Sequence, residues 1–272
     1  MDDKIKLLRD LVMDSENIVF FGGAGVSTES GIPDFRSKNG LYNMEYKYPP
    51  ETILSSTFFM LHPDEFYRFY REKLIFRDAK PNPAHRTLAK LEEMGKLKAV
   101  ITQNVDGLHS QAGSQTVIEL HGSVHRNYCM DCGMSYSLES IMDGVKSASG
   151  EALLPPDGIT RCTCGGIVKP EVTLFGEQLS QDVIEKAIKY ISEADMLIVG
   201  GTSLNVYPAA AFIDYYEGNR LVLINMSRTT HNLIANLAIR GKIGEVLPLV
   251  VPMECGKVSP EDEQPLLART QA

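Results

Sequence analysis

No stretch of this chain is apolar for long enough to cross a bilayer; the longest apolar runs, such as Ile18-Val19-Phe20-Phe21, are of strand length. The first residues, Met1 to Asp10, are charged and lack the apolar centre of a signal peptide, so a cytoplasmic protein with no membrane partner is expected. Positive charge is also short. With 27 Lys and Arg against 35 Asp and Glu, the formal net charge is -8, which argues against a general nucleic-acid binder needing a basic face. It remains compatible with basic peptide substrates such as lysine-bearing tails. Cysteine is sparse: five in 272 residues, four of them in two close pairs and Cys255 alone in a polar tail. That usage points away from disulfides and toward a reducing compartment.

What is present is enough for a substantial core, in one large domain or a large domain carrying a small one. An amphipathic segment from Ile5 to Val12 predicts a helix, and Asn17 to Phe21 a buried strand running into Gly22-Gly23. From Asn39 to Lys80 the pattern turns aromatic and charged with helical spacing, which reads as a helical insertion. Pro83 opens a helix that ends near Gly95, since proline suits a first turn and glycine a last one. Strands follow at Lys98–Ile101 and Thr116–Leu120. After the cysteine segment come a helix near Asp182–Ile191, a strand at Met196–Val199, a helix after Pro208 and a strand at Leu221–Ile224. Strands alternating with helices predict a doubly wound, parallel, Rossmann-like α/β sheet with helices on both faces. The expected division is a discontinuous α/β domain (1–37, 81–123 and 171–251), the insertion (38–80), a small cysteine-bearing module (124–170) and a flexible tail (252–272).

Polar clusters sit at the predicted strand ends, where open α/β sheets bind ligands. Gly23-Ala24-Gly25 lets backbone approach a pyrophosphate, although Thr28 stands where the usual fingerprint has its third glycine; a plain tight turn is the alternative. Gly200-Gly201-Thr202-Ser203 adds a second such turn, and Asn225 a polar strand end able to hold a ribose hydroxyl. Asn104 and Asp106 end another strand, either as ligand contacts or as Asx caps of a following helix. His121 is the candidate base, because imidazole titrates near neutrality and Gly122 after it leaves room for a ligand. The other histidines, at 62, 85, 109, 125 and 231, read as structural. Cys129-x-x-Cys132 and Cys162-x-Cys164 can supply four corners of a tetrahedron, giving one structural Zn²⁺ with no open position; a redox pair is the alternative.

With these residues assembled, the chain resembles the sirtuin family of NAD-dependent protein-lysine deacylases, bacterial type, from Leu7 to about Pro252. Gly23 to Ser27 through Gly31-Ile32-Pro33-Asp34-Phe35-Arg36 is similar to the family's cofactor loop, and Thr102 to His109 with His121-Gly122-Ser123 to its catalytic strand ends. The resemblance implies NAD contacts from Ala24, Thr28, Phe35, Arg36, Gln103, His121, Thr202, Ser203, Asn225 and Ile243, with Val105 and Asp106 lining a nicotinamide pocket walled also by Ile32. Asn104 would position the ribose and a water, and His121 would act as general base through the ribose hydroxyls. Val172, Leu174, Phe175 and Gly176 would clamp a substrate peptide by backbone pairing, with Asn205, Val206 and Tyr207 on its other side. The implied reaction removes acetyl groups from protein lysines, giving nicotinamide, free lysine and O-acetyl-ADP-ribose. Other lysine deacylation, or ADP-ribosyl transfer to protein, are the alternatives at the same site. Family members that remove succinyl groups resemble a Tyr-x-x-Arg pattern in the insertion. Here Tyr67 matches but Tyr70 takes the arginine's place; Arg68 and Arg71 are neighbours, yet a one-residue shift moves a side chain about 100 degrees around a helix, so deacetylation is expected to dominate. A monomer is the default.

Overall fold

The computed structural model describes residues 1–37, 40–146 and 152–251. The expected tail, 252–272, and Cys255 lie outside the described residues. The chain opens with α1 (Asp2–Met13) and β1 (Ile18–Gly22), then α2 (Pro50–Ile53), α3 (Ser56–Leu61), α4 (Pro63–Lys73) and α5 (Pro83–Glu93). Next come β2 (Leu97–Thr102), α6 (Leu108–Gln111), β3 (Val117–Glu119), β4 (Gly122–Cys129), β5 (Ser135–Tyr136), α7 (Leu138–Asp143), β6 (Val145–Lys146) and β7 (Ala152–Leu153). The rest is β8 (Val168–Val172), α8 (Gln181–Glu193), β9 (Met196–Gly200), β10 (Leu221–Asn225), β11 (Leu237–Arg240) and α9 (Ile243–Val246).

Six strands form one parallel sheet in the order β11-β10-β9-β1-β2-β3. The chain starts at the middle, builds outward through β2 and β3, and then crosses to build the other half. This is the doubly wound order, and it leaves a crevice beyond the strand ends beside β1, where the winding reverses. Every residue of β1 and β9 is buried, because helices cover both faces and strands in such a sheet read as unbroken apolar runs. Phe20, Val100, Ile198 and Val222 pack on one face with Leu8 and Val12 of α1 and Leu88 and Leu91 of α5. Phe21, Ile101, Val199 and Leu223 pack on the other with Ala187 and Ile191 of α8. A third core joins the insertion to the cysteine segment: Phe59, Phe66, Tyr67 and Tyr70 meet Val124, Ile141 and Val168.

Local signals explain the helix boundaries. The Asn82 side chain accepts from the Ala84 N–H and caps α5, with Pro83 in its first turn and the Asn82 N–H returned to His85 Nδ1. α4 has Asp64 and Glu65 in its first turn and Arg71 and Lys73 in its last, matching its dipole. The helix expected after Pro208 is present as a 3-10 helix, Ala209–Tyr215. β11 was not foreseen, since four residues at a sheet edge, alternately buried and open, give little periodic signal.

β4 pairs antiparallel with both β5 and β8 in a separate small sheet. Gly122 is required here for a reason other than room for a ligand. Its φ is +77°, and a Cβ would lie 1.9 Å from the Glu171 carbonyl oxygen, so the residue after His121 is where β8 crosses closest.

Candidate active site

β1 and β9 are in register, Gly22 beside Gly200, so their two glycine turns leave the sheet side by side. The turns bind each other. Gly25 N–H donates to the Gly201 carbonyl at 2.8 Å and Gly23 N–H to that of Gly200 at 3.3 Å. A Cβ on Gly25 would meet Gly201 Cα at 2.8 Å, and Gly201 itself has φ +61°. These glycines therefore serve the close contact between two strand-end turns, and the N–H groups of Gly23 and Gly25 are already committed to protein carbonyls.

The neighbouring strand ends are cross-linked by side chains. Gln103, after β2, donates through Nε2 to Thr202 Oγ1 at 3.1 Å, and the Thr202 N–H donates to Asn225 Oδ1 at 3.0 Å. Asn225 Nδ2 is buried and has no partner among the described residues. A buried, unsatisfied amide costs on the order of 1–3 kcal/mol unless a ligand or water takes the bond, so this end of the crevice suits a polar ligand such as a dinucleotide ribose.

Ser27 joins the first turn to the β2 end. Its hydroxyl donates to Asp106 Oδ2 at 2.6 Å and accepts from Asn104 Nδ2 at 3.0 Å. Asp106 also accepts from the Leu108 N–H at 2.9 Å, which is the Asx-cap reading of that carboxylate, at the start of α6. Burial raises the Asp106 pKa above the ordinary carboxylate value, opposed by the Ser27 and Leu108 bonds. Ser27 was not singled out from sequence; its position three residues after Ala24 carried no signal of a contact with residues near 105.

His121 follows β3. Its Nδ1 lies 2.9 Å from the Gln103 carbonyl oxygen, which can only accept, so Nδ1 carries the proton and Nε2 is left as the basic nitrogen. Burial lowers the pKa below the usual imidazole value, opposed by that bond, and keeps the ring neutral at pH 7.

All these groups line one cavity of about 710 Å³. Ala24, Thr28, Ile32, Phe35 and Arg36 enter it from the first turn and its loop; Gln103, Asn104, Val105, Asp106 and His121 from β2 and β3; Thr202, Ser203, Asn225 and Ile243 from the far half of the sheet. Val172, Leu174, Phe175 and Gly176 lie on one wall, and Asn205, Val206 and Tyr207 line the same cavity. Lys73, Leu74 and Phe76, at and just beyond the end of α4, also line it and were not anticipated. Tyr67 and Tyr70 do not. Both are fully buried, and the Tyr67 hydroxyl donates to the Val168 carbonyl.

Cys129, Cys132, Cys162 and Cys164 bring their sulfurs within 4.8 Å of one another. The Cys129–Cys164 and Cys132–Cys162 separations are 3.5 and 3.6 Å. Four sulfurs about 2.3 Å from a tetrahedral Zn²⁺ stand about 3.8 Å apart, so the donor set fits the ion and the tighter Cys162-x-Cys164 spacing does not spoil it. The Cys164 N–H and the Tyr136 hydroxyl both donate to the Cys162 sulfur, favouring its thiolate and lowering its pKa to about 6.

A sheet wound in this order, with a polar crevice at the strand ends, together with a separate four-thiol cluster that fits a metal ion, defines a dinucleotide-binding α/β protein with a small metal-site module. Residues 23–208 match the Sir2 family, and the chain belongs to that family. A NAD-dependent protein deacetylase of Clostridium acetobutylicum is 58% identical over 252 residues, covering 92% of this chain and 98% of the relative. One of Sulfolobus acidocaldarius is 44% identical over 253 residues, covering 92% and 94%. A solved Sir2 complex with deacetylated p53 peptide and 3'-O-acetyl ADP-ribose is 42% identical, covers 91% of this chain and 97% of its own, and superposes with a TM-score of 0.80. A complex of Sir2 with p53 peptide and NAD+ is 40% identical, covers 90% and 95%, and gives 0.76.

Proposed function

We infer that this protein removes acetyl groups from lysine side chains of proteins at the expense of NAD, releasing nicotinamide, free lysine and O-acetyl-ADP-ribose. The observation that carries this is the tautomer of His121, a neutral imidazole with Nδ1 committed to the Gln103 carbonyl and Nε2 basic, in the same cavity as Asn104, Asp106 and both glycine turns. A protein that only bound a dinucleotide would need no such base. The relatives' printed activity and the complexes of Sir2 with acetylated peptide support the same reading.

NAD, when bound, supplies an electrophilic ribose carbon and nicotinamide as leaving group. The Asn225 amide, Gln103, Thr202 and Ser203 would hold its polar groups, with Ala24, Thr28, Phe35, Arg36 and Ile243 completing that wall. Asp106 and Val105, with Ile32, would receive the nicotinamide. Asn104, kept in place by Ser27, orients the reacting ribose, and His121 Nε2 takes up a proton from a ribose hydroxyl. The stretches Val172–Gly176 and Asn205–Tyr207 would hold the peptide by main-chain pairing. Zinc on the four thiolates leaves no open coordination position, so its part is to brace the module. Thiols gathered as ligands suit a reducing, cytoplasmic compartment. In this reading residues 1–37, 81–123 and 171–251 form the dinucleotide-binding body, 38–80 and 124–170 the smaller lobe, with β4 and β8 running across the junctions.

Acetyl groups are favoured over succinyl because Tyr67 and Tyr70 are both core residues and present no arginine to an acyl carboxylate. The experiment is a panel of acetyl-, succinyl- and long-acyl-lysine peptides with NAD, read by mass spectrometry beside His121→Ala. Normal turnover by His121→Ala, or label passing from NAD to protein rather than to acetyl-ADP-ribose, would overturn the reading.

A further inference from the structure

Lys169 is an ammonium in an unusual place. It lies in β8 at 6% exposure, next to Val168 of the third core, and it is neither a metal ligand nor a cavity-lining residue, whereas its partner Glu177 lines the cavity. Its three N–H donors all have acceptors: the Pro170 carbonyl at 3.3 Å, the Val172 carbonyl at 3.2 Å and Glu177 Oε2 at 3.1 Å. The same Glu177 oxygen accepts the Leu174 N–H at 2.9 Å, and the Glu177 N–H returns to the Leu174 carbonyl at 2.9 Å. One ion pair between a buried ammonium and a half-buried carboxylate therefore ties both ends of the Val172–Glu177 stretch. Between those ties, Thr173 N–H donates to the His121 carbonyl at 2.9 Å and Phe175 N–H to that of Leu54 at 2.9 Å.

We propose that the Lys169–Glu177 pair is a positioning device for peptide binding: it fixes the turn Leu174–Glu177 that follows β8, in which Gly176 has φ +91°, and so sets the course of the Val172–Gly176 wall along which a substrate main chain would pair. The argument is energetic. An ion pair with one buried and one half-buried partner is weak support for global stability, because desolvation of the ammonium and solvent screening of the carboxylate offset most of its attraction. Main-chain pairing with a peptide, in contrast, requires that the receiving strand already be ordered, since each residue it must order on binding costs about 1–2 kcal/mol. A pair that satisfies all three ammonium protons and one strand N–H supplies that order before the peptide arrives. The dinucleotide contacts proposed for the strand ends of β1, β2, β9 and β10 do not depend on it.

This rests on the deacetylase reading, and its test is separable from it. Lys169→Met keeps the side-chain length and removes the charge; Glu177→Gln keeps the shape and removes the other charge; Lys169→Arg restores the cation. KM for an acetyl-lysine peptide, KM for NAD, NAD affinity by calorimetry without peptide, and melting temperature are measured on the full zinc-loaded chain. The expected result is a peptide KM raised about tenfold in Lys169→Met and Glu177→Gln, equal to about 1.4 kcal/mol, with NAD affinity within twofold of the parent and partial recovery in Lys169→Arg. An unchanged peptide KM in Glu177→Gln overturns the proposal, as does a parallel loss of NAD affinity, which would mark a general structural role. If the parent enzyme itself does not turn over the peptide, the deacetylase reading fails instead.

Discussion

Ser27→Ala is the most exacting test of how the site is built. The hydroxyl is 1% exposed and serves two partners from another strand end, so its removal leaves Asp106 Oδ2 and Asn104 Nδ2 each one bond short. A bond to a charged group is worth about 1.5–3 kcal/mol and a neutral one about 0.5–1.5 kcal/mol, giving about 2–4 kcal/mol if neither partner finds a substitute. Both partners line the cavity, where water can take over part of the loss, so the effect should fall near the lower end. About 2 kcal/mol corresponds to roughly 30-fold in kcat/KM. A second effect has a definite sign. The Ser27 bond opposes the burial that raises Asp106, so the variant's carboxyl rises further and the acid limb of its pH profile moves upward. The assay is nicotinamide release with a saturating acetyl-lysine peptide from pH 5 to 9, with a melting curve beside it. A variant within threefold of the parent, with an unmoved acid limb, refutes the argument that Ser27 organises Asn104 and Asp106.

Replacing His121 with alanine should cost about 10²–10⁴ in kcat, the usual yield of a general base. In the parent, burial holds the imidazole below its ordinary value, so activity should persist below pH 6.5 before falling as the ring protonates; a histidine-dependent inflection above 7 would contradict this. Buried His85 and His109, their rings 4.6 Å apart, are pushed down to about 4 and about 3 by desolvation. Their pKa values are lower folded than unfolded, so this contribution is whole above about 6.5 and is lost as pH falls toward 4 and 3. Melting temperature should therefore drop between pH 6.5 and 4.5 less steeply in His109→Phe than in the parent, and equal slopes would count against it. Stripping zinc with a strong chelator, or Cys132→Ser, should remove one metal equivalent per chain. It should also remove a stabilisation on the order of 10 kcal/mol from the small module, seen as early melting and protease sensitivity between 124 and 170. Unchanged melting in metal-free protein would show that the thiols need no ion.

Much of this protein was legible in one dimension because its signals are local. Ile18–Gly22 and Met196–Gly200 read as buried strands because both faces of the sheet are covered and no alternation is needed. The polar residues after them mark ligand-facing ends by the geometry of doubly wound sheets, and short-spaced thiols declare a metal by chemistry alone. Tertiary structure alone decided who touches whom. In sequence the glycines of the first turn suit either a pyrophosphate approach or a plain tight turn, and only the fold shows that two of their N–H groups bind the second turn, some 175 residues away. Ser27, Lys169 and the end of α4 carried no pattern that could disclose their partners, and Tyr67 and Tyr70 could have faced the cavity or the core with equal helical logic. The physical reason is one of range. Periodicity and ligand spacing are set by bonds a few residues long, whereas hydrogen-bond partners across strand ends, and the face a helix buries, depend on how distant segments pack.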